Sequence, residues 1–358
     1  MSVDPASLRP IGRTDLKVSA LGYGAAPFGN LLAKVNNEDV FAAVDAAIVG
    51  GIRYFDTAPF YGHGLSEHRL GDALRAHPRD SYVLSTKVGR LLKPSTRPAP
   101  TPGPFAETLP FDIVFDYSYD GALRSIEDSL QRLGLARIDI VLIHDVTAKW
   151  RGDALEESYR QSMAGAYRAL EKLRSDKTIS AIGVGINDCE ILERFAADGD
   201  FDCFMLAGRY TLLDTTALPR LLPTCVRRSI SVILAAPFNS GILVTGSKPG
   251  AKFWYTDAPR EVLDRVAKIE AIASRHHVSL QALAIQFPLA HPALASVPAG
   301  YRSAAEVAAA LTASRERIPS ALWSELKAEM LIDPTAPVPA MTPSERPTEV
   351  DNGRRHCR

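Results

Sequence analysis

Cysteine is scarce and scattered: Cys189, Cys203, Cys225 and Cys357 are the only four in 358 residues, and no two stand in C-x-x-C spacing. That pattern excludes the disulfide framework of a small secreted domain, and reduced thiols are expected. Long apolar runs are missing too, since no window approaches the ~20 residues of a membrane span. The first residues, Met1-Ser2-Val3-Asp4-Pro5, lack a basic start followed by an apolar stretch. Nor is there an excess of either charge, because 41 Lys and Arg balance 41 Asp and Glu. Electrostatics therefore gives no case for a nucleic acid or an acidic membrane as partner. The expectation is a cytoplasmic protein with no metal site.

What is present is an alternation. From residue 21 onward, short apolar runs take turns with longer stretches of helical period. The runs are Leu21–Gly24, Arg53–Asp56, Tyr82–Lys87, Asp139–His144, Ile179–Gly185, Cys203–Ala207, Ser231–Ala235 and Leu294–Val297. Between them lie amphipathic segments such as Asn37–Val49, Gly121–Leu133, Tyr167–Leu173 and Val262–Ser274. Eight strands, each followed by a helix, imply right-handed crossovers and a parallel sheet, and eight is the number that closes. The predicted fold is a (β/α)8 TIM barrel formed by residues 1–332 as a single domain.

Three stretches fall outside this repeat. Residues 7–19 carry a turn between two short apolar pieces and suit an N-terminal β-hairpin plugging the barrel floor. Residues 93–112 hold six prolines, at 94, 98, 100, 102, 104 and 110, and read as a long irregular loop on the rim, a lid or substrate wall. Residues 333–358 lose apolar periodicity and read as a mobile tail.

Four polar residues mark the strand ends. Asp56, Lys87 and His144 each close an apolar run, and Tyr61 follows Asp56 by five residues. In one barrel these ends share a rim. A phenol can serve as general acid or base when its proton affinity is tuned, and a nearby ammonium such as Lys87 would stabilise the phenolate. Asp56 would keep Lys87 charged, and His144 would orient a substrate oxygen. Singly, a strand-end Lys or an Asp–Lys pair is ordinary structure; all four on one rim favour catalysis.

The surrounding motifs carry a resemblance. Gly51-Ile52-Arg53-Tyr54-Phe55-Asp56-Thr57-Ala58-Pro59-Phe60-Tyr61-Gly62, Ser66-Glu67 with Leu70-Gly71, Ser85-Thr86-Lys87-Val88-Gly89 and Ser125-Ile126-Glu127 before His144 resemble the aldo-keto reductases from about residue 9 to 313. The resemblance implies a nicotinamide cofactor bound without a Rossmann unit and an Asp56, Tyr61, Lys87, His144 tetrad with Tyr61 as acid/base.

Barrel phosphate sites favour the loops after strands seven and eight, here Pro237-Phe238-Asn239-Ser240-Gly241-Ile242-Leu243 and Ala299-Gly300-Tyr301-Arg302-Ser303. Ser240 and Gly241 would let backbone N–H groups approach a pyrophosphate, and Arg302 would pair with a phosphate or stack on adenine. Glycine and serine in a turn need no ligand, so this reading leans on the resemblance. Relatives that prefer the phosphorylated cofactor carry cations where this chain has Gly300 and Glu306, so NAD is expected, with NADP the alternative that Arg302 supports. Asn187 is the expected carboxamide contact, Ala207 and Ala235 stand where relatives carry larger side chains, and Tyr210 is the aromatic candidate. His63, His68 and Trp150 are candidates for the substrate end, His68 better read as part of a helix start.

The segments Phe201–Leu213 and Pro237–Leu243 resemble the branch holding aldose 1-dehydrogenases, for L-fucose or D-threo-aldoses, and pyridoxal 4-dehydrogenase. That branch implies oxidation of a small cyclic hemiacetal to its lactone. Two alternatives stand: a general NADPH-dependent aldehyde or ketone reductase, and a nicotinamide-binding regulatory subunit.

Overall fold

A computed structural model of the chain describes residues 2–96 and 103–339. Its strands are β1 (Leu8–Pro10), β2 (Lys17–Ser19), β3 (Leu21–Gly24), β4 (Tyr54–Asp56), β5 (Val83–Val88), β6 (Arg90–Pro94), β7 (Phe111–Phe115), β8 (Ile140–His144), β9 (Ala181–Ile186), β10 (Cys203–Ala207), β11 (Ser231–Ala235), β12 (Lys252–Phe253), β13 (Thr256–Asp257) and β14 (Leu294–Ala299). Eight of them, β3, β4, β5, β8, β9, β10, β11 and β14, pair in that order, and β14 returns to β3 to close the barrel. These are the eight apolar runs read from the sequence, each parallel to its neighbours.

Period-two alternation along each strand sorts the side chains into two cores. Inward-facing Tyr54, Val83, Ile140, Leu142, Cys203, Met205 and Ile233 fill the barrel. Outward-facing Phe55, Leu84, Val141, Ile143, Val184, Phe204 and Leu234 pack beneath the helices. The inner cluster also contains Ile11 and Val18 from the antiparallel β1–β2 hairpin. The floor plug expected from residues 7–19 is therefore present, held by apolar burial.

Several helices begin where a side chain satisfies a free backbone N–H group. Asn36 caps the helix Asn37–Val49 by accepting from Asp39 N at 2.7 Å, and Ser118 caps Tyr119–Leu133 by accepting from Gly121 N at 3.0 Å. Among the described residues, no helix is long and apolar enough to cross a membrane.

Two boundaries differ from expectation. Residues 93–112 are not irregular throughout, because β6 and β7 form a hairpin whose register pairs Arg90 with Phe115 and Pro94 with Phe111. Prolines masked the strand pattern, and Pro94 closes the ladder, where a missing donor is tolerated. Residues 97–102 lie outside the described part. The expected tail also starts late: Ala336 is buried and Val338 packs against the core, so the chain stays on the barrel to at least Val338. The rest of that stretch, 340–358, lies outside the described residues.

Gly71 shows how tightly the shell is drawn, since a Cβ there would run into the backbone of Leu133, including its carbonyl oxygen. The helices Leu65–Leu74 and Tyr119–Leu133 thus meet backbone to backbone. Gly71→Ala is expected to destabilise the fold by about 1–3 kcal/mol. Urea titration should show a lower midpoint at unchanged slope, and an unchanged midpoint would mean the contact relaxes freely.

Candidate active site

The last inward-facing position of a barrel strand points its side chain into the C-terminal mouth. Asp56 on β4, Lys87 on β5 and His144 on β8 occupy those positions. All three are buried. Lys87 Nζ donates to Asp56 Oδ2 at 2.7 Å and to the Thr57 carbonyl at 2.8 Å. Ser85 donates to Asp56 Oδ1 at 2.6 Å, which uses its only proton, so the Tyr54 hydroxyl is the donor in its 2.9 Å contact with Ser85. Burial pushes the Asp56 carboxyl upward, opposed by the Lys87 ammonium and both hydrogen bonds.

Tyr61 is carried by the turn after β4. Gly62, at φ 65°, lies against Gly29, where a Cβ would fall 2.6 Å from the Gly29 carbonyl oxygen. That close approach fixes the turn and swings the phenol over the barrel mouth. Lys87 Nζ stands 4.7 Å from the centre of the Tyr61 ring, and the His144 ring meets it edge-on at 6.1 Å. The expected lowering of the phenol pKa is not what this geometry gives. Burial first, then the charges of Asp56 and Asp145, hold it well above its ordinary value. His144 is pushed well below the usual imidazole range by burial and by Arg90 and Lys87, so its ring is neutral.

The opposite wall of the mouth is built from small residues. Gly185, one residue before the end of β9, and Ala207 and Ala235, which end β10 and β11, leave space that becomes a cavity of about 450 Å³. Tyr61, Lys87 and His144 line it, together with Phe60, Phe105, Trp150 and Asn187. Phe105 comes from the 93–112 stretch and packs edge-on to Phe60 at 5.2 Å, so that stretch supplies part of the cavity wall.

A second cavity, of about 250 Å³, adjoins the first and shares Tyr61 and Tyr255 with it. Pro237, Phe238, Ser240, Gly241, Gly300 and Arg302 line it, as read from the sequence. Four residues of the β11 loop have left-handed backbone: Ala236, Asn239, Ser240 and Gly241, at φ 54°, 46°, 64° and 100°. Such strain gathers where a ligand clamp is held in shape. Among the described residues, Asn239 Oδ1 and Arg302 Nε are buried without a partner, and Gly241 has no other residue within 4 Å of a Cβ position. The Arg302 Nε–H suits an anionic group, and Asn239 Oδ1, on the wall of the larger cavity, suits an N–H or O–H donor.

Several expected residues lie elsewhere. Tyr210 is fully buried, with its ring tilted against Phe287 at 5.3 Å between centroids and lining neither cavity, so it is a packing residue. Leu243 is buried in the outer core, because the short helix Ile242–Thr245 turns it inward. Glu306 does not line a cavity; its carboxylate accepts from the Arg302 backbone N–H at 2.8 Å. His63 is buried beside the site with Nδ1 2.7 Å from the Phe111 carbonyl, and His68 is exposed on the helix Leu65–Leu74.

The aromatic missing from the rim comes from a hairpin the sequence did not reveal. Between β12 and β13, Trp254 and Tyr255 adopt φ 51° and 65°, rare for bulky side chains. Tyr255 donates its backbone N–H to Ser240 Oγ at 3.0 Å and lines both cavities. Two-residue strands leave no periodicity to read. The one available signal was the triplet Phe253-Trp254-Tyr255 inside a polar loop. Arg90 and Asp145 were also missed; they form a 2.6 Å ion pair at the cavity edge.

With this geometry in view, the comparisons with known proteins are specific. Residues 20–329 match the Aldo/keto reductase family. The pyridoxal 4-dehydrogenase of Microbacterium luteolum is 40% identical over 342 residues, covering 93% of this chain and 100% of the relative. The D-threo-aldose 1-dehydrogenase of a Pseudomonas species is 39% identical over 338 residues, covering 92% and 98%. In the holo form of an aldo-keto reductase from Bacillus halodurans, 99% of the chain superposes on 94% of this one with a TM-score of 0.70 at 23% identity, a likeness of fold. A family match over most of the chain, two dehydrogenases near 40% identity and a barrel of this form agree: the chain belongs to the aldo/keto reductase family and is an oxidoreductase.

Proposed function

We propose that this protein oxidises the ring-closed, hemiacetal form of an aldose or of pyridoxal to its lactone, with NAD as cofactor. The observation that carries the reading is the Tyr61 phenol: it lines the larger cavity together with Lys87 and His144, and it also lines the second cavity, whose wall includes Arg302. The names of the two dehydrogenase relatives support oxidation and this substrate range.

In this reading the anomeric hydroxyl sits between Tyr61 and neutral His144, which holds it by a hydrogen bond. Tyr61 removes the hydroxyl proton, and the Lys87 ammonium above the ring stabilises the resulting phenolate. Asp56 and the Thr57 carbonyl fix Lys87 so that its charge needs no rearrangement during the reaction. Pro237, Phe238, Asn239, Ser240, Gly241, Gly300 and Arg302 would hold a nicotinamide cofactor, with Asn187 and Tyr255 toward its ring. When bound, that cofactor supplies the hydride acceptor. Glu306, at the start of the helix Ala304–Arg315, disfavours a 2′-phosphate beside Arg302. Arg302 on the cavity wall is the observation that favours the rival, an NADPH-dependent carbonyl reductase.

Following nicotinamide absorbance with NAD and NADP against L-fucose, D-arabinose, L-galactose and pyridoxal tests the reading directly, and faster turnover with NADPH and simple aldehydes would reverse it. Tyr61→Phe should lower kcat roughly 10²–10⁴-fold while cofactor affinity measured by fluorescence stays unchanged; near-normal turnover would remove Tyr61 from the chemistry. Because burial raises the Tyr61 pKa, the base form is scarce at neutral pH and grows as pH rises. Oxidation should therefore accelerate by about tenfold per pH unit above neutrality until another step limits, and a flat profile would contradict a phenol base. Glu306→Lys should shift the NADP to NAD ratio of kcat/KM upward on the order of tenfold; an unchanged ratio would free Glu306 of any part in cofactor choice.

A further inference from the structure

Asp145 follows His144, and its position is unusual in three respects. Its backbone is left-handed at φ 53°, a conformation that Asp tolerates only at some expense in energy. That twist turns its carboxylate to the cavity wall beside Tyr61 and Lys87 instead of away from it. One oxygen, Oδ2, is shared between two neighbours: Arg90 Nη2 at 2.6 Å and His144 Nε2 at 3.4 Å. Oδ1 accepts no hydrogen bond from the described residues.

Arg90 is the reason a carboxylate can stand there. Its guanidinium is buried and boxed by aromatic faces, 4.0 Å from the Phe60 ring centre, 4.4 Å from Trp150 and 4.9 Å from Phe115. Such a cage holds the cation still and leaves Asp145 as its one ion-pair partner among the described residues. The pair is neutral as a unit, so it gives no attraction to a charged substrate. What it offers is a fixed, partly buried acceptor close to the imidazole that holds the reacting hydroxyl.

From this geometry, and resting on the hemiacetal-oxidation reading, we infer that Asp145 is a specificity-determining residue: its free oxygen accepts a hydrogen bond from the hydroxyl on the carbon next to the reacting one. Asp145 Oδ2 lies 3.4 Å from His144 Nε2, so the carboxylate and the imidazole border the same part of the cavity, where hydroxyls on adjacent carbons of one substrate can reach both groups. The preferred substrates are then uncharged sugars with a hydroxyl beside the anomeric centre. A site that binds a hydroxyl with a buried carboxylate rejects the analogue lacking it, because the acceptor is left unmet. Arg90 acts through Asp145 as a positioning residue.

The test compares the best aldose from the absorbance screen with its 2-deoxy form. Wild type should favour the parent sugar by about 10- to 100-fold in kcat/KM. Asp145→Asn should collapse that ratio by reducing turnover of the parent while sparing the 2-deoxy sugar. If the single variant does not fold, the double variant Arg90→Met, Asp145→Asn, which leaves no unpaired buried cation, gives the same reading. No discrimination by wild type overturns the inference, as does a variant that slows both sugars equally, the mark of a merely structural pair. Turnover of pyridoxal but of no aldose overturns the inference and leaves the dehydrogenase reading standing. Turnover of neither overturns both.

Discussion

The site depends on one buried ion pair. Asp56 and Lys87 sit on adjacent strands at the end of the barrel, each almost without solvent, and an unpaired charge at either place would be strongly destabilising. The surroundings support the pair: Ser85 donates to the other Asp56 oxygen, the Thr57 carbonyl accepts a second of the three Lys87 protons, and Tyr54 supports Ser85 from below. These contacts hold Lys87 over the Tyr61 ring. The phenol thus lies against a fixed positive charge, at the expense of burying two ions.

The neighbouring framework serves the same end. Glu67, fully buried on the helix Leu65–Leu74, accepts from Thr86 at 2.8 Å and from Arg132 at 2.6 Å, tying β5 to two helices. Ser66 donates to the Ala25 carbonyl at 2.7 Å and contacts Thr57 at 2.9 Å, bracing the segment that follows Asp56. These contacts explain why Ser66 and Glu67 belong to the motif although neither reaches the cavity. Across the mouth the logic reverses, since Gly185, Ala207 and Ala235 contribute by being small. Polar anchors on one side and absent side chains on the other make a reaction chamber from a barrel that is otherwise packed solid.

Legibility followed the physics of each element. The eight strands were readable because burial on both faces imposes continuous apolar runs, and the tetrad was readable because polar residues ending such runs stand out. Pro237, Phe238, Ser240, Gly241, Gly300 and Arg302 could be picked out because they stand in the loops after strands seven and eight, and they line one cavity. Tyr210 failed because sequence distance from a strand end does not say which way a loop residue turns; it turned into Phe287 and His291. Tyr255 and Asp145 were invisible because left-handed backbone at non-glycine residues has no sequence signature.

The sequence by itself determined the barrel, its plug and the identity of the phenol and the three polar residues around it, because local period and burial act over a few residues at a time. Only the tertiary structure decided what surrounds them: that burial raises the Tyr61 phenol, that Tyr255 closes the rim and that the Arg90–Asp145 pair borders the cavity. Those properties depend on contacts between segments far apart in the chain. Arg90 and Asp145 meet from β6 and the end of β8, and neither strand carries any mark of the other.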